Sequence, residues 1–181
     1  MDKAYRTELR RVFLLQNLPE PLTRASRHLQ IFDNYVENTR LRFRSIRSPK
    51  TKEWTWILEQ RFPLEDLSQW AISEIRLDKD EHHVFEQFEG REIQKNEKVQ
   101  TNEIRKNRYF YELGAQQFEI DLFLGDLWGL ILAQIVFQTA EEMREMKTPP
   151  FAVSEVTGNE FFIGKNLVGK TFADVQTEFL K

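Results

Sequence analysis

The sequence predicts an α+β protein organised around a mostly antiparallel sheet. Three observations predict it. Stretches of strand length follow one another through polar turns, two of them carry basic residues at every second position, and helical spacing is confined to the middle of the chain and its end.

Residues 6–16 alternate into the apolar run Val12-Phe13-Leu14-Leu15, which suits an opening strand. Leu18-Pro19-Glu20-Pro21 ends it, before an expected short helix. Residues 28–38, 39–47 and 54–61 read as successive strands, with Ser48-Pro49-Lys50-Thr51-Lys52 as a hairpin loop. After Pro63, Leu64, Leu67, Ala71 and Ile75 recur at helical spacing, with Glu65 and Asp66 placed where a helix dipole favours acids. A helix is therefore predicted from Leu64 towards Phe88, stopped by Gly90. Residues 91–139 return to strand patterns, with turns near Gly114 and Gly125-Asp126. From Lys147 the tail contains Pro149-Pro150 and little periodicity until a final helix over residues 172–180.

At 181 residues the chain suits one domain, residues 1–181. A formal net charge of -3 lacks the overall basic excess of a general nucleic-acid binder, so any anion site has to be local. The absence of cysteine excludes disulfides and thiolate metal sites. The opening Met1-Asp2-Lys3-Ala4-Tyr5-Arg6 is charged where a secretory leader is apolar. No run approaches the ~20 apolar residues of a membrane span, so a soluble cytoplasmic protein with no membrane partner is the expectation.

Arg40, Arg42 and Arg44 share one face of a strand. Like charges in a row repel, and such a run by itself is most often a solvated face paired with acids. A second basic strand changes the weighting: Ile104-Arg105-Lys106-Asn107-Arg108-Tyr109 puts Lys106 and Arg108 on one face. Glu119 and Asp121, in Phe118-Glu119-Ile120-Asp121-Leu122-Phe123, form a carboxylate pair suited to Mg²⁺ or Mn²⁺, and Glu8 is a further carboxylate candidate. Closed into a barrel, such strands would turn their charges into the lumen. Cations on one wall and carboxylates on another describe a site for metal-bound polyphosphate.

These motifs, in this order, resemble the CYTH domain, the adenylyl cyclase and thiamine triphosphatase branch of the triphosphate tunnel metalloenzymes. Glu8-Leu9-Arg10-Arg11-Val12-Phe13-Leu14-Leu15 is similar to the family's opening Glu-x-Glu-x-Lys strand, Arg40-Leu41-Arg42 to its Arg-x-Arg strand, and Ile104 to Tyr109 to its Ile-x-Lys-x-Arg-Tyr strand. Phe118 to Gly125, Gly129-Leu130-Ile131-Leu132-Ala133 and Glu155-Val156-Thr157-Gly158-Asn159 extend the likeness over nearly the whole chain. The resemblance implies an eight-stranded antiparallel closed barrel with flanking helices. It binds a triphosphate and, in active members, hydrolyses or cyclises it with a divalent metal. Arg40, Arg42, Arg44, Lys106 and Arg108 are then the triphosphate-binding candidates. Glu8, Glu119, Asp121 and Gln134 are the metal candidates, and no catalytic residue is assigned.

The departures are concentrated among the carboxylates. Arg10 stands at the second acidic position of the opening motif and Val12 at its lysine. Leu58 is read at the phosphate-binding lysine of the next strand, Gln134 and Val136 replace a late Glu-x-Glu pair, and a Glu-x-Glu strand before the main helix is not found. Metal catalysis of phosphoryl transfer needs an ion at a defined position, whereas anion binding needs only donors. The leading reading is therefore a tunnel that binds a triphosphate or inorganic polyphosphate with reduced or lost metal-dependent hydrolysis, Arg10 supplying part of the metal's charge and Mg²⁺ or Mn²⁺ weakly held or lost. An active triphosphatase or nucleotidyl cyclase with a rearranged metal site is the first alternative. A non-catalytic barrel for protein contacts, its partner unspecified, is the second.

Two other patterns carry less. Gly164-Lys165-Asn166-Leu167-Val168-Gly169-Lys170-Thr171 has Walker A spacing, but that motif needs a parallel sheet and a downstream strand ending in Asp, and only ten residues follow. His82 and His83 read as exposed helix residues, with only His28 elsewhere to complete a zinc site. The four Trp residues read as core and barrel-to-helix packing.

Overall fold

The computed structural model describes residues 4–95 and 98–181. The first strands are β1 (Arg6–Leu15), β2 (His28–Tyr35), β3 (Leu41–Arg47), β4 (Trp54–Pro63) and β5 (Gln69–Leu77), followed by helix α1 (Lys79–Phe85). A separate ribbon, β6 (Glu92–Lys95) and β7 (Lys98–Thr101), leads to β8 (Glu103–Leu113), β9 (Gln116–Phe123) and β10 (Ile131–Phe137). Helix α2 (Ala140–Glu145), the short β11 (Ser154–Glu155), α3 (Gly164–Leu167) and α4 (Phe172–Phe179) complete the chain. Around the barrel the order is β1-β5-β4-β3-β2-β8-β9-β10, every neighbouring pair is antiparallel, and pairing of β10 with β1 closes the ring of eight.

Strand alternation explains both the closure and the polar interior. On β1, Phe13 and Leu15 face outward into a buried cluster with Tyr109, Phe118, Ile120, Ala133 and Ile135, while Glu8, Arg10 and Val12 line the lumen. β9 and β10 repeat the pattern, with Glu119, Asp121 and Gln134 inward. A second apolar cluster seats the carboxyl-terminal segment on the barrel. Phe162, Leu167, Val168 and Val175, from the carboxyl-terminal segment, pack on Ile104, Phe123 and Leu132. That segment comes close to the barrel wall at Gly164, where a Cβ would lie 1.9 Å from Tyr35 Oη.

Several expectations are corrected. No helix begins at Leu64. Ser68 N–H and Oγ donate to Asp66 Oδ1 in a tight turn, and residues 69–77 are β5, paired with β4 from Trp56↔Leu77 to Pro63↔Trp70. The acids at 65 and 66 belong to that turn, and cross-strand pairing outweighs the local helical spacing. The helix starts only after Asp78, whose side chain and Glu81 form a capping box. Residues 22–27 form turns, with no short helix. β4 carries Ile57, Glu59 and Arg61 on its lumenal side, so Leu58 lies off that face and the side chain across from Arg42 is Glu59.

His82 is not simply exposed. Its ring stacks on Trp56 at 4.4 Å and on Phe43 at 5.7 Å, which docks α1 on the barrel. Trp54 and Trp128 are 43% and 47% exposed instead of core, and Trp70 lines the lumen. The Walker-like stretch forms α3, a connection, and the N-cap of α4, where Thr171 Oγ1 accepts from Asp174 N–H. Met1–Lys3 of the opening hexapeptide, and Asn96 and Glu97 within residues 91–139, lie outside the described residues.

Candidate anion-binding lumen

The lumen is a cavity of about 1370 Å³ whose lining includes Arg40, Phe62 and Glu74 and residues of the carboxyl-terminal segment from Glu160 to Val168. At its centre Asp33 on β2, fully buried, faces Arg44 across the β2–β3 ladder. Arg44 Nε and Nη2 donate to its two oxygens at 2.5 and 2.8 Å, Arg42 Nη1 lies at 3.5 Å and Lys106 Nζ at 3.4 Å. Burial alone would raise the Asp33 carboxyl, but Arg42, Arg44 and Lys106 outweigh it and hold it well below the usual carboxylate range.

On the adjoining wall Arg108 and Asp121 face each other in the β8–β9 register. Arg108 Nε and Nη2 donate to Asp121 at 2.7 and 2.8 Å, and Lys106 Nζ reaches the same carboxylate at 2.7 Å. Burial would raise Asp121, yet Arg108 and Lys106 depress it. Lys106 itself is pushed down by burial, against the pull of Asp121 and Asp33. Glu119 Oε2 accepts from Arg108 Nη1 at 2.6 Å. The two basic strands read from the sequence thus meet at Asp33, while Asp121 is held by Lys106 and Arg108 of β8 alone. Arg42 and Arg44 are buried, while Arg40 stacks on Phe62 with its guanidinium 4.2 Å from the ring centre and is exposed.

The opposite wall holds residues the sequence reading missed. Glu59 accepts from Arg42 Nη2 at 2.7 Å, and Arg61 Nη2 donates to Glu8 Oε1 at 3.0 Å while Arg6 Nη1 reaches Glu8 Oε2 at 3.2 Å. Burial opposes ionisation of Glu59, but Arg42 and Arg61 lower it. Asp33, Glu59, Arg61 and Trp70 could have been found from register. The six-residue connection between β3 and β4 sets Arg42 opposite Glu59, and alternation then turns Arg61 to the same side.

The divalent metal implied by the resemblance does not fit this donor set. Glu8, Glu119 and Asp121 are each bound by arginine or lysine, and Gln134 Oε1 accepts from Arg10 Nη1 at 3.2 Å. Among the described residues no group of three or more His, Cys, Asp or Glu could hold a metal ion. Nor is any helix of the described residues long and apolar enough to cross a membrane.

The closed antiparallel barrel with a charged lumen is the CYTH-like triphosphate tunnel fold. The protein is similar to a crystal structure of the inorganic triphosphatase NE1496, with a TM-score of 0.55 and 22% identity over 90% of this chain and 95% of that one. A crystal structure described as the hypothetical protein NE1496 gives 0.56 and 22% over 91% and 99%. Those likenesses carry the fold. Over 65 residues the sequence is 35% identical to an inorganic triphosphatase of Acetivibrio thermocellus, a match that takes in 36% of this chain and 40% of that protein's length. No family model matches the chain.

Proposed function

We propose that the lumen binds a triphosphate moiety, inorganic tripolyphosphate or longer polyphosphate, through Arg42, Arg44, Lys106 and Arg108, with Arg40 receiving the anion at the mouth. The observation that carries this reading is the convergence of Arg42, Arg44 and Lys106 on the fully buried carboxylate of Asp33, with Glu59 and Asp121 as further partners of Arg42 and Lys106. Four donor-rich side chains on neighbouring walls match an anion with many acceptor oxygens, and guanidinium forks suit phosphate oxygens. The similarity to an inorganic triphosphatase supports the same class of ligand.

Metal-dependent hydrolysis is reduced or lost in this reading. Phosphoryl transfer needs a metal or equivalent charge placed to orient the attacking water. Here Glu8, Glu119 and Asp121 are taken up by ion pairs, and an arginine and a valine stand at Arg10 and Val136.

Thermal melting with tripolyphosphate, in EDTA and with Mg²⁺ or Mn²⁺, alongside phosphate release, tests both parts. Ligand at ~100 times its Kd stabilises by about 2.7 kcal/mol, a readily measured shift. The expected result is a raised melting temperature without phosphate release above background. An unchanged melting temperature overturns the binding assignment. Metal-dependent phosphate release assigns the lumen to an active triphosphatase instead.

A further inference from the structure

Arg10 lines the lumen and makes no salt bridge to a carboxylate of the described residues. Its guanidinium carbon lies 4.4 Å from the centre of the Trp70 ring, and that of Arg61 lies 5.0 Å from the same ring. Arg10 Nη1 donates to Gln134, a neutral acceptor, and its buried Nε has no hydrogen-bond partner among the described residues. Glu8 attracts it without a salt bridge, and a largely enclosed cation with no carboxylate in contact is costly to the folded chain. Burial, with repulsion from Arg61, pushes its pKa down to about 9, the direction expected of a charge the protein does not satisfy by itself.

We propose that Arg10, together with Arg61, takes the charge-neutralising place of a divalent ion, so that the lumen binds the metal-free polyphosphate anion and discriminates against its Mg²⁺ complex. The inference rests on the triphosphate reading above and adds the state in which the ligand is recognised. Two features of this wall carry it. First, the acceptors a metal would use are already occupied: Glu8 by Arg6 and Arg61, Gln134 by Arg10. A divalent ion entering here would meet two guanidiniums. Second, the Arg10 guanidinium is held by a neutral acceptor and no carboxylate, which leaves its charge for an incoming phosphate oxygen, and phosphate oxygens bound to Mg²⁺ are less able to supply one. Mg²⁺ and Arg10 therefore compete for the same oxygens, and the effect of metal on binding changes sign relative to a metal-dependent lumen.

Calorimetric titration of tripolyphosphate into the full chain, in EDTA and in Mg²⁺ sufficient to complex the ligand, tests this directly. Wild-type affinity is expected to be at least about tenfold weaker in Mg²⁺, the worth of roughly one charge-assisted hydrogen bond. Arg10→Gln is expected to weaken binding in EDTA by roughly 10- to 100-fold and to narrow the difference between the buffers. Unligated melting of the variant checks its fold, and the wild-type comparison decides the sign of the metal effect without any variant. Tighter binding in Mg²⁺, or unchanged EDTA affinity in folded Arg10→Gln, overturns this proposal while leaving the triphosphate reading in place. Binding in neither buffer overturns both.

Discussion

Asp33 and Arg44 face each other across β2 and β3 in a two-pronged ion pair, Nε to Oδ1 at 2.5 Å and Nη2 to Oδ2 at 2.8 Å. With Arg42 and Lys106 also drawn to it, Asp33 acts as a built-in anion at the centre of the lumen. Its removal leaves three buried cations sharing too few acceptors. Asp33→Asn is expected to lose about 3–5 kcal/mol of stability in chemical denaturation, the usual cost of breaking a buried pair. Tripolyphosphate should recover part of that loss, because it supplies oxygens to the stranded donors. A variant as stable as the wild type without ligand would mean that the surrounding cations are satisfied by other groups.

Acid should weaken the fold for the same reason. Asp33, Asp121 and Glu59 all have folded pKa values below their ordinary 3.8 to 4.5. Between the folded and unfolded values the unfolded chain binds more protons, so stability rises with pH there. The contribution is complete above about pH 5 and is lost progressively as pH falls through 4 towards the depressed folded values. Denaturation midpoints at pH 7, 4 and 3 check this, and a midpoint independent of pH across that range would contradict it.

How much of this was legible beforehand follows from the type of signal. Period-two charge at Arg42-Arg44 and Lys106-Arg108 is local, and it marked the strands of two lumen walls. Asp33 and Glu59 carry no such pattern, because their partners lie 11 and 17 residues away and only ladder register brings them together. β5 misled for a related reason. Its Trp70, Ala71 and Ile72 are buried in succession, Trp70 against the lumen, which erases strand alternation and leaves an accidental helical spacing. The metal candidates were recognisable by residue type; Arg6 is a sequence neighbour of Glu8 on β1, but capture of Glu8 by Arg61 and of Glu119 by Arg108 depended on contacts between strands.

Gly164 offers a test of how the carboxyl-terminal segment seats on the lumen. A methyl group there would overlap Tyr35 Oη, to which Arg42 Nη1 donates at 3.5 Å. The ring is partly buried against the second apolar cluster, so the segment or Tyr35 has to move. Gly164→Ala is expected to cost about 1–3 kcal/mol as an overpacking change. Displacing the segment should also make Tyr35 and its neighbours more open to hydrogen exchange. Equal stability and exchange protection in the variant would show that the contact yields without consequence.

Arg10→Met separates a structural arginine from one held for a ligand. Methionine keeps much of the length that covers Trp70 and removes the charge. What the folded chain loses is one hydrogen bond to neutral Gln134 and a cation–π contact, together worth about 2–5 kcal/mol. What it sheds is a largely enclosed charge with no carboxylate in contact, attracted by Glu8 but repelled by Arg61 near the same ring, and replacing buried ionic groups by apolar ones is often stabilising by about 1–4 kcal/mol, a roughly comparable scale. The balance favours methionine because Nε has no partner to lose. The unligated variant is expected to melt about 2–4 °C higher, near 1 kcal/mol for a chain of this size, while its stabilisation by tripolyphosphate in EDTA falls. A lower melting temperature would show that the folded protein satisfies Arg10 by itself, and the structural reason for an anion beside it would be gone.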